Sequence, residues 1–231
     1  MTPMSVPPPV RLLILGAGYH AAEVRVYIQD LASQGSSVEV VGFLDDARPA
    51  GVHGRFHVLG KIEDLAAGKL ADFSATHFIT AVGSNRLRQR MVERVTAICG
   101  SALPAWTLRH PSSWTGEDVE IGDGTCLAPA ALATTRVRIG RHCILNVKAS
   151  LSHDVVVGDY GNINPGATVC GNVTIGEGAY IGAGAVIKDK VSIGAWTVIG
   201  AGAAVVADVP PNVTAVGVPA RIVKRHMGTQ G

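Results

Sequence analysis

A chain of 231 residues with 47% apolar residues, 5% aromatics and 28 glycines has room for one large domain or two modest ones. It lacks the bulky core fillers and low glycine content of a helical bundle. A formal net charge of +2, with no basic run longer than Lys224–Arg225, gives no electrostatic footprint for a nucleic-acid partner.

Residues 1–9 are proline-rich and read as a loose leader, without the basic and apolar regions of a signal peptide. RLLILGAGYHAAEVRVYIQDLASQG then gives a buried strand from Arg11 to Leu15, a glycine turn, and a helix from about His20 to Ser33. VEVVGFLDD predicts a strand ending on Asp45 and Asp46. KIEDLAAGKL predicts a short helix, THFITAVGS a strand, NRLRQRMVERVTAIC a helix, and residues 102–106 a last strand. Strands alternating with helices imply a small parallel α/β sheet, Rossmann-like, with helices on both faces, over residues 10–106. Gly16, Gly18 and Ala21 fit G-x-G-x-x-G/A, a turn that brings backbone N–H groups and a helix N-terminus toward a phosphate. A dinucleotide site places its acid about twenty residues on. Asp45 and Asp46 lie 27 and 28 beyond Gly18.

From Val119 the pattern changes. The chain reads VEIGDG TCLAPA ALATTR VRIGRH CILNVK ASLSHD VVVGDY GNINPG ATVCGN VTIGEG AYIGAG AVIKDK VSIGAW TVIGAG AAVVAD. The third position of these fifteen hexads is Ile, Leu or Val in fourteen, Ala133 being the exception, and the first position is small or β-branched throughout. Period six with inward aliphatics predicts a parallel β-helix of three short strands per coil. Ile-Gly or Val-Gly recurs at Ile121, Ile139, Val157, Ile175 and Ile193, so eighteen residues make a coil and residues 118–208 make about five. Residues 209–231 are expected to cap the end of the solenoid. Their Lys224 and Arg225 would either meet ligand phosphates or form a solvated charged end. The four cysteines, Cys99, Cys126, Cys143 and Cys170, form no CxxC pair and keep no zinc-ligand spacing, which predicts reduced thiols, a cytoplasmic location and no metal site. No run of ~18 apolar residues predicts a membrane span.

In the hexad frame Leu151 points inward and His153–Asp154 fall at an outer corner. Spacing alone leaves open a solvated turn, as at Arg141–His142, or a functional pair. The hexads, the closing GVPARIVKR, the N-terminal GAGYHA and the segment SHDVVVGDY together resemble the left-handed β-helix (hexapeptide-repeat) sugar acetyltransferases. That family includes the UDP-4-amino-sugar N-acetyltransferases of bacillosamine synthesis, the GDP-perosamine N-acetyltransferases and the sialic acid O-acetyltransferases. The resemblance implies an acetyl-CoA-dependent N-acetyltransferase acting on the 4-amino group of a nucleotide sugar, as used in polysaccharide biosynthesis. O-acetylation of a sialic-acid-like sugar and a non-catalytic scaffold stand as alternatives. It also implies a homotrimer with acetyl-CoA along the groove between neighbouring solenoids. His153 takes the place of the general base and Asp154 that of its orienting acid. Gly171, one coil on, takes the place of an oxyanion-binding amide, and Asn146 that of an asparagine near the reacting group. Asn162 stands where many relatives carry a second histidine and is expected to bind the substrate or the acetyl donor. For the nucleotide sugar the resemblance points to Gly16, Gly18, Tyr19, His20, Asp45, Asp46, Gly83 and Asn85. Tyr19 stands where relatives often have Gly or Ser. Whether UDP, GDP or dTDP is carried stays open.

Overall fold

The computed structural model describes residues 9–67 and 73–226. The leader, the second half of the predicted short helix and residues 227–231 fall largely or wholly outside them. The chain forms two compact units. One comprises residues up to 82 together with 91–106, and the other 83–90 together with 107 onward. The first unit ends at residue 106, and a short segment from the first half of the sequence, residues 83–90, belongs with the second unit.

The first unit is built on β1 (Val10–Leu15), whose residues Leu12 to Leu15 are fully buried. It lies between β2 (Val38–Leu44) and β5 (His77–Thr80), parallel to both. The glycine turn leads into α1 (Tyr19–Ser33). A hairpin the sequence reading missed, β3 (Gly51–His53) and β4 (Phe56–Gly60), completes the order β3-β4-β2-β1-β5, with β3 antiparallel at the edge. The segment 62–67 is a 3-10 turn, Ile62–Ala67. The strand expected at 102–106 is only a bridge between Phe78 and Ala105. The helix α2 (Asn85–Cys99) runs across the division between the units.

The second unit is the β-helix. Two-residue strands recur every six residues from β6 (Leu108–Arg109) to β22 (Ala204–Val205). They stack into three sheets: the first from β6 upward, the second from β7 (Trp114–Thr115) to β22, and the third from β8 (Glu120–Ile121) to β20 (Ser192–Ile193). Partners are eighteen residues apart, as Ile139 with Val157 and Val157 with Ile175. The solenoid thus starts two strands before the predicted 118. Arg109 and Thr115 stand at third positions there, so the aliphatic mark was missing. Third-position side chains such as Leu151, Val169 and Ile187 and first-position residues such as Ala149, Ala167 and Ala185 are fully buried, which explains why the first position must be small.

The glycine of each Ile-Gly pair answers to close approach. A Cβ on Gly158 would lie 2.6 Å from the nitrogen of Glu177 in the next coil. The corners, expected to turn on glycine and small residues, do so only in part. Every sixth residue from Asp118 to Gly202 has positive φ, and these include Arg136, His142, Asp154, Tyr160 and Trp196. Side chains at that position stack directly over one another, coil on coil, at the ~4.8 Å strand spacing. Beyond the last coil, β23 (Val213–Val216) joins the first sheet in parallel and β24 (Arg221–Arg225) folds back on it antiparallel, with Lys224 and Arg225 exposed.

Candidate active site

His153 and Asp154 form the corner between β13 (Ser150–Leu151) and β14 (Val156–Val157), where the second sheet passes to the third. Leu151 anchors the approach in the core, and the Asp154 N–H donates to the Thr135 carbonyl one coil below. His153 Nδ1 is 2.8 Å from Asp154 Oδ2. An ionised carboxylate can only accept, so Nδ1 carries the proton and Nε2 is left with its lone pair. The imidazole is about half exposed. A neutral, oriented, solvent-reachable imidazole has the form of a general base.

Asp154 has a second partner that sequence reasoning missed. Arg136, one coil below in the same left-handed corner column, donates from Nε to Asp154 Oδ1 at 2.7 Å and from a terminal nitrogen to Oδ2 at 2.9 Å. Arg136 first, and His153 second, hold the Asp154 carboxyl well below the usual carboxylate range. The eighteen-residue period was the signal that could have found it. Beside them runs a groove of about 430 Å³ lined by Asp118, Glu120, Arg136, Arg138, Asp154 and Val156.

Gly171 lies on the other side of the imidazole. A Cβ there would come within 2.5 Å of His153 Nε2, so only glycine leaves the ring its place. The Gly171 carbonyl accepts from Lys190, while its N–H has no acceptor among the described residues. Asn146 is at a different corner, after β12 (Ile144–Leu145), with its Oδ1 accepting from the Val147 N–H. Within one chain the structure does not bring it to His153.

Asn162 requires correction. It lies on the outer side of β15 (Asn162–Ile163) in the first sheet and is 2% exposed. Its Oδ1 accepts from Arg88 at 2.6 Å and its Nδ2 donates to the Gly83 carbonyl at 2.7 Å. Both ends of the amide are used inside the chain, so it offers nothing to an acetyl donor.

The same contacts engage Gly83 and Asn85, which also line a cavity of about 340 Å³ together with Tyr180 and Trp196. Asn85 is buried, and its Nδ2 donates to the carbonyls of Gly178 and Ala179. Arg88, fully buried and unforeseen, donates from Nε to the His142 carbonyl and from a terminal nitrogen to the Tyr160 carbonyl. Arg86 covers the Trp196 ring at 4.0 Å. The start of α2 thus lies along the corner between the third and first sheets, meeting several levels of the solenoid. These residues tie the segment to the β-helix. Burial lowers the Arg88 guanidinium to about 10, still charged at neutral pH.

In the first unit the glycine turn has the expected form. Gly16 has φ +99°, donates to the Leu44 carbonyl, and would drive a Cβ to 2.8 Å from Val82. Gly18 precedes α1 at its N-cap, and nothing lies within 4 Å of where its Cβ would be, so a ligand can approach the backbone there. Tyr19 is almost wholly exposed. His20 Nδ1 pairs with Glu23. Asp45 Oδ2 accepts from Ala17 N–H at 2.7 Å and its Oδ1 from the N–H groups of Ala47 and Arg48, so its carboxylate fastens the turn. Asp46 pairs with Arg94 at 2.6 Å, which holds it below the ordinary carboxylate range. All four cysteines are free thiols. Among the described residues no group of His, Cys, Asp and Glu is placed to hold a metal, and no helix is long and apolar enough to cross a membrane.

Comparison with known proteins fits this geometry. Residues 11–95 match the PglD N-terminal domain and residues 172–207 the bacterial transferase hexapeptide (six repeats). The chain is 34% identical over 142 residues to the GDP-perosamine N-acetyltransferase of Escherichia coli O157:H7, a match spanning 61% of each protein. Over 93% of its length it is similar to a histidine-to-asparagine mutant of perosamine N-acetyltransferase from Caulobacter crescentus, solved with CoA and GDP-perosamine (31% identity, TM-score 0.81, 97% of that chain). The acetyltransferase domain of PglB from Neisseria gonorrhoeae FA1090, solved with acetyl coenzyme A, is similar over the same share (30% identity, TM-score 0.81, all of that chain).

Proposed function

The chain belongs to the hexapeptide-repeat sugar acetyltransferases, and on that footing we propose that it transfers an acetyl group from acetyl-CoA to the 4-amino group of a nucleotide-linked sugar, with His153 as general base. The observation that carries this is the His153–Asp154 pair, which leaves Nε2 as the acceptor on an exposed ring.

The acceptor amine attacks the thioester carbonyl as Nε2 takes its proton. Negative charge then develops on the carbonyl oxygen, and the unoccupied Gly171 N–H is the donor we assign to it. When the C–S bond breaks, the imidazolium returns the proton to the departing thiolate. Asp154 keeps the tautomer and offsets the imidazolium charge. The glycine turn before α1 is the proposed seat of the nucleotide diphosphate, because its N-cap backbone is open. The relatives solved with GDP-perosamine make a GDP-linked amino sugar the first acceptor to try. We further infer a homotrimer with acetyl-CoA between neighbouring solenoids, and a cytoplasmic setting in which the four free thiols stay reduced.

The test is thiol release from acetyl-CoA against GDP-, UDP- and dTDP-4-amino sugars and free sialic acid. One amino sugar should be preferred, and His153→Ala should lower kcat by ~10²–10⁴-fold with acetyl-CoA affinity nearly unchanged. Near wild-type turnover by His153→Ala would reduce the pair to a solvated corner. Preference for sialic acid would move the acceptor to a hydroxyl.

A further inference from the structure

We propose that Arg136 is a positioning residue for this reaction, acting through Asp154 to set both the orientation and the basicity of His153. This rests on the reading of His153 as the base.

The geometry is specific. Arg136 and Asp154 occupy the same corner position in successive coils, with φ of 51° and 59°. The guanidinium closes on both carboxylate oxygens, and Asp154 Oδ2 takes His153 Nδ1 as well. Asp154 sits on a tight turn and has no other side-chain donor than Arg136 and His153 among the described residues, so without Arg136 the carboxylate would be free to rotate away from Nδ1. A two-point clamp fixes its plane as a single ammonium does not.

The charge effect has a definite sign. The Asp154 carboxylate favours the imidazolium, and a cation locked on the same carboxylate opposes it. The remaining charges nearby are Glu117 and Asp118 at the corner two coils below His153, Asp189 and Lys190 at the corner two coils above it, and Glu120 and Arg138 along the groove. Glu120 and Arg138 pair with one another at 3.6 Å. Arg136 is the cation in direct contact with Asp154, so its removal should let the imidazole hold its proton to higher pH. A unit charge held on the far side of one shared carboxylate in a solvent-exposed setting corresponds to about half a pH unit.

The experiment compares wild type, Arg136→Gln and Arg136→Lys. The ascending limb of kcat/KM should move up by about half a pH unit in Arg136→Gln. Its kcat on the plateau should fall several-fold, with KM for acetyl-CoA unchanged. Arg136→Lys should return the limb toward its wild-type position and recover only part of kcat, because it restores charge without the fork. The His153 Cε1–H resonance, assigned by its loss in His153→Asn, should show the same upward displacement of its titration in free protein. That readout needs no turnover. A wild-type protein that transfers no acetyl group would overturn the proposed function while leaving the resonance to decide on Arg136. An Arg136→Gln protein whose resonance titrates as in wild type, or at lower pH, overturns the role given to Arg136 whatever the activity.

Discussion

A methyl group at position 171 would occupy the space of the His153 ring, although the backbone there would accept an alanine: its φ is not in the left-handed region. Gly171→Ala should therefore act by displacing the imidazole, while the Gly171 N–H stays in place. We expect kcat to fall by about tenfold or more, as misplacing a base by an ångström does. In a His153→Ala background the same substitution should cost almost nothing further, since the collision is gone. Steady-state kinetics on the four proteins of this cycle decide it, and a Gly171→Ala penalty that persists without His153 would mean that the glycine serves the backbone or the ligand instead. Asp154→Asn should do less harm than His153→Ala, because the base remains. Its cost should lie in kcat and not in KM for acetyl-CoA, which the same kinetics report.

Along the corner between the third and first sheets the side chains themselves form an element. His142 stacks on Tyr160 at 5.5 Å, and Gly124 and Gly178 leave room for the His142 and Trp196 rings above them. The carbonyls of His142 and Tyr160 meet Arg88. Arg88→Met would leave these two carbonyls and Asn162 Oδ1 without their donors, at a cost of about 3 kcal/mol or more. For a chain of this size that lowers Tm by roughly 10 °C. Asn162→Ala should cost less, and the double variant less than the sum, since one hydrogen bond is shared; strict additivity in thermal melts would refute the pairing. Asn162→His, which adds a second titrating group on paper, should lose stability here and gain no activity. His142 supplies a pH test. Burial first, then Arg88 and Arg141, lower its imidazole to about 4. The unfolded chain protonates it near ~6.5. Its neutral form therefore contributes stability that is complete above about pH 6.5 and is lost as pH falls toward 4. At pH 5 the loss is about 2 kcal/mol, or roughly 5 °C in Tm. Melts at pH 7, 6 and 5 should show that drop in wild type and not in His142→Phe, and equal drops would place the acid sensitivity elsewhere. Little of this corner was legible beforehand. Hexads declare themselves because each coil repeats the same inward Ile, Leu or Val, and a Cβ on Gly140 or Gly158 would strike the next coil. The His153–Asp154 pair stood out against that repeat for the same reason. Arg88 meets partners 54, 72 and 74 residues away, a separation no local pattern encodes. Asn85 and Asp45 looked like ligand contacts because short polar residues after strands serve both nucleotides and turns. The hydrogen bonds to Gly178, Ala179, Ala17 and Ala47 show the structural use.

On the scale of the whole chain, the second sheet presents an outward row of Trp114, Leu132, Ser150, Thr168, Val186 and Ala204, without a charge along it. The third sheet, by contrast, shows Glu120 and Arg138 outward. Trp114 and Val186 are 55% and 46% exposed. A continuous uncharged strip with an exposed tryptophan and valine has the character of a protein interface. A prism that offers one flat face to a different surface of its neighbour closes into a ring, which suits the proposed trimer. Light scattering should give a mass near three times the 23.9 kDa of one chain. Thr168→Glu with Val186→Glu puts like charges on neighbouring strands of that face and should release single chains. The β-helix core lies on the opposite side of those strands, so the far-ultraviolet circular dichroism should not change. If acetyl-CoA lies between solenoids, the same variant should lose acetyl-CoA binding by calorimetry even though His153, Asp154 and Gly171 are untouched. A wild-type mass of one chain would rule out the trimer. A single-chain variant that still binds acetyl-CoA with wild-type affinity would put the donor on one solenoid alone.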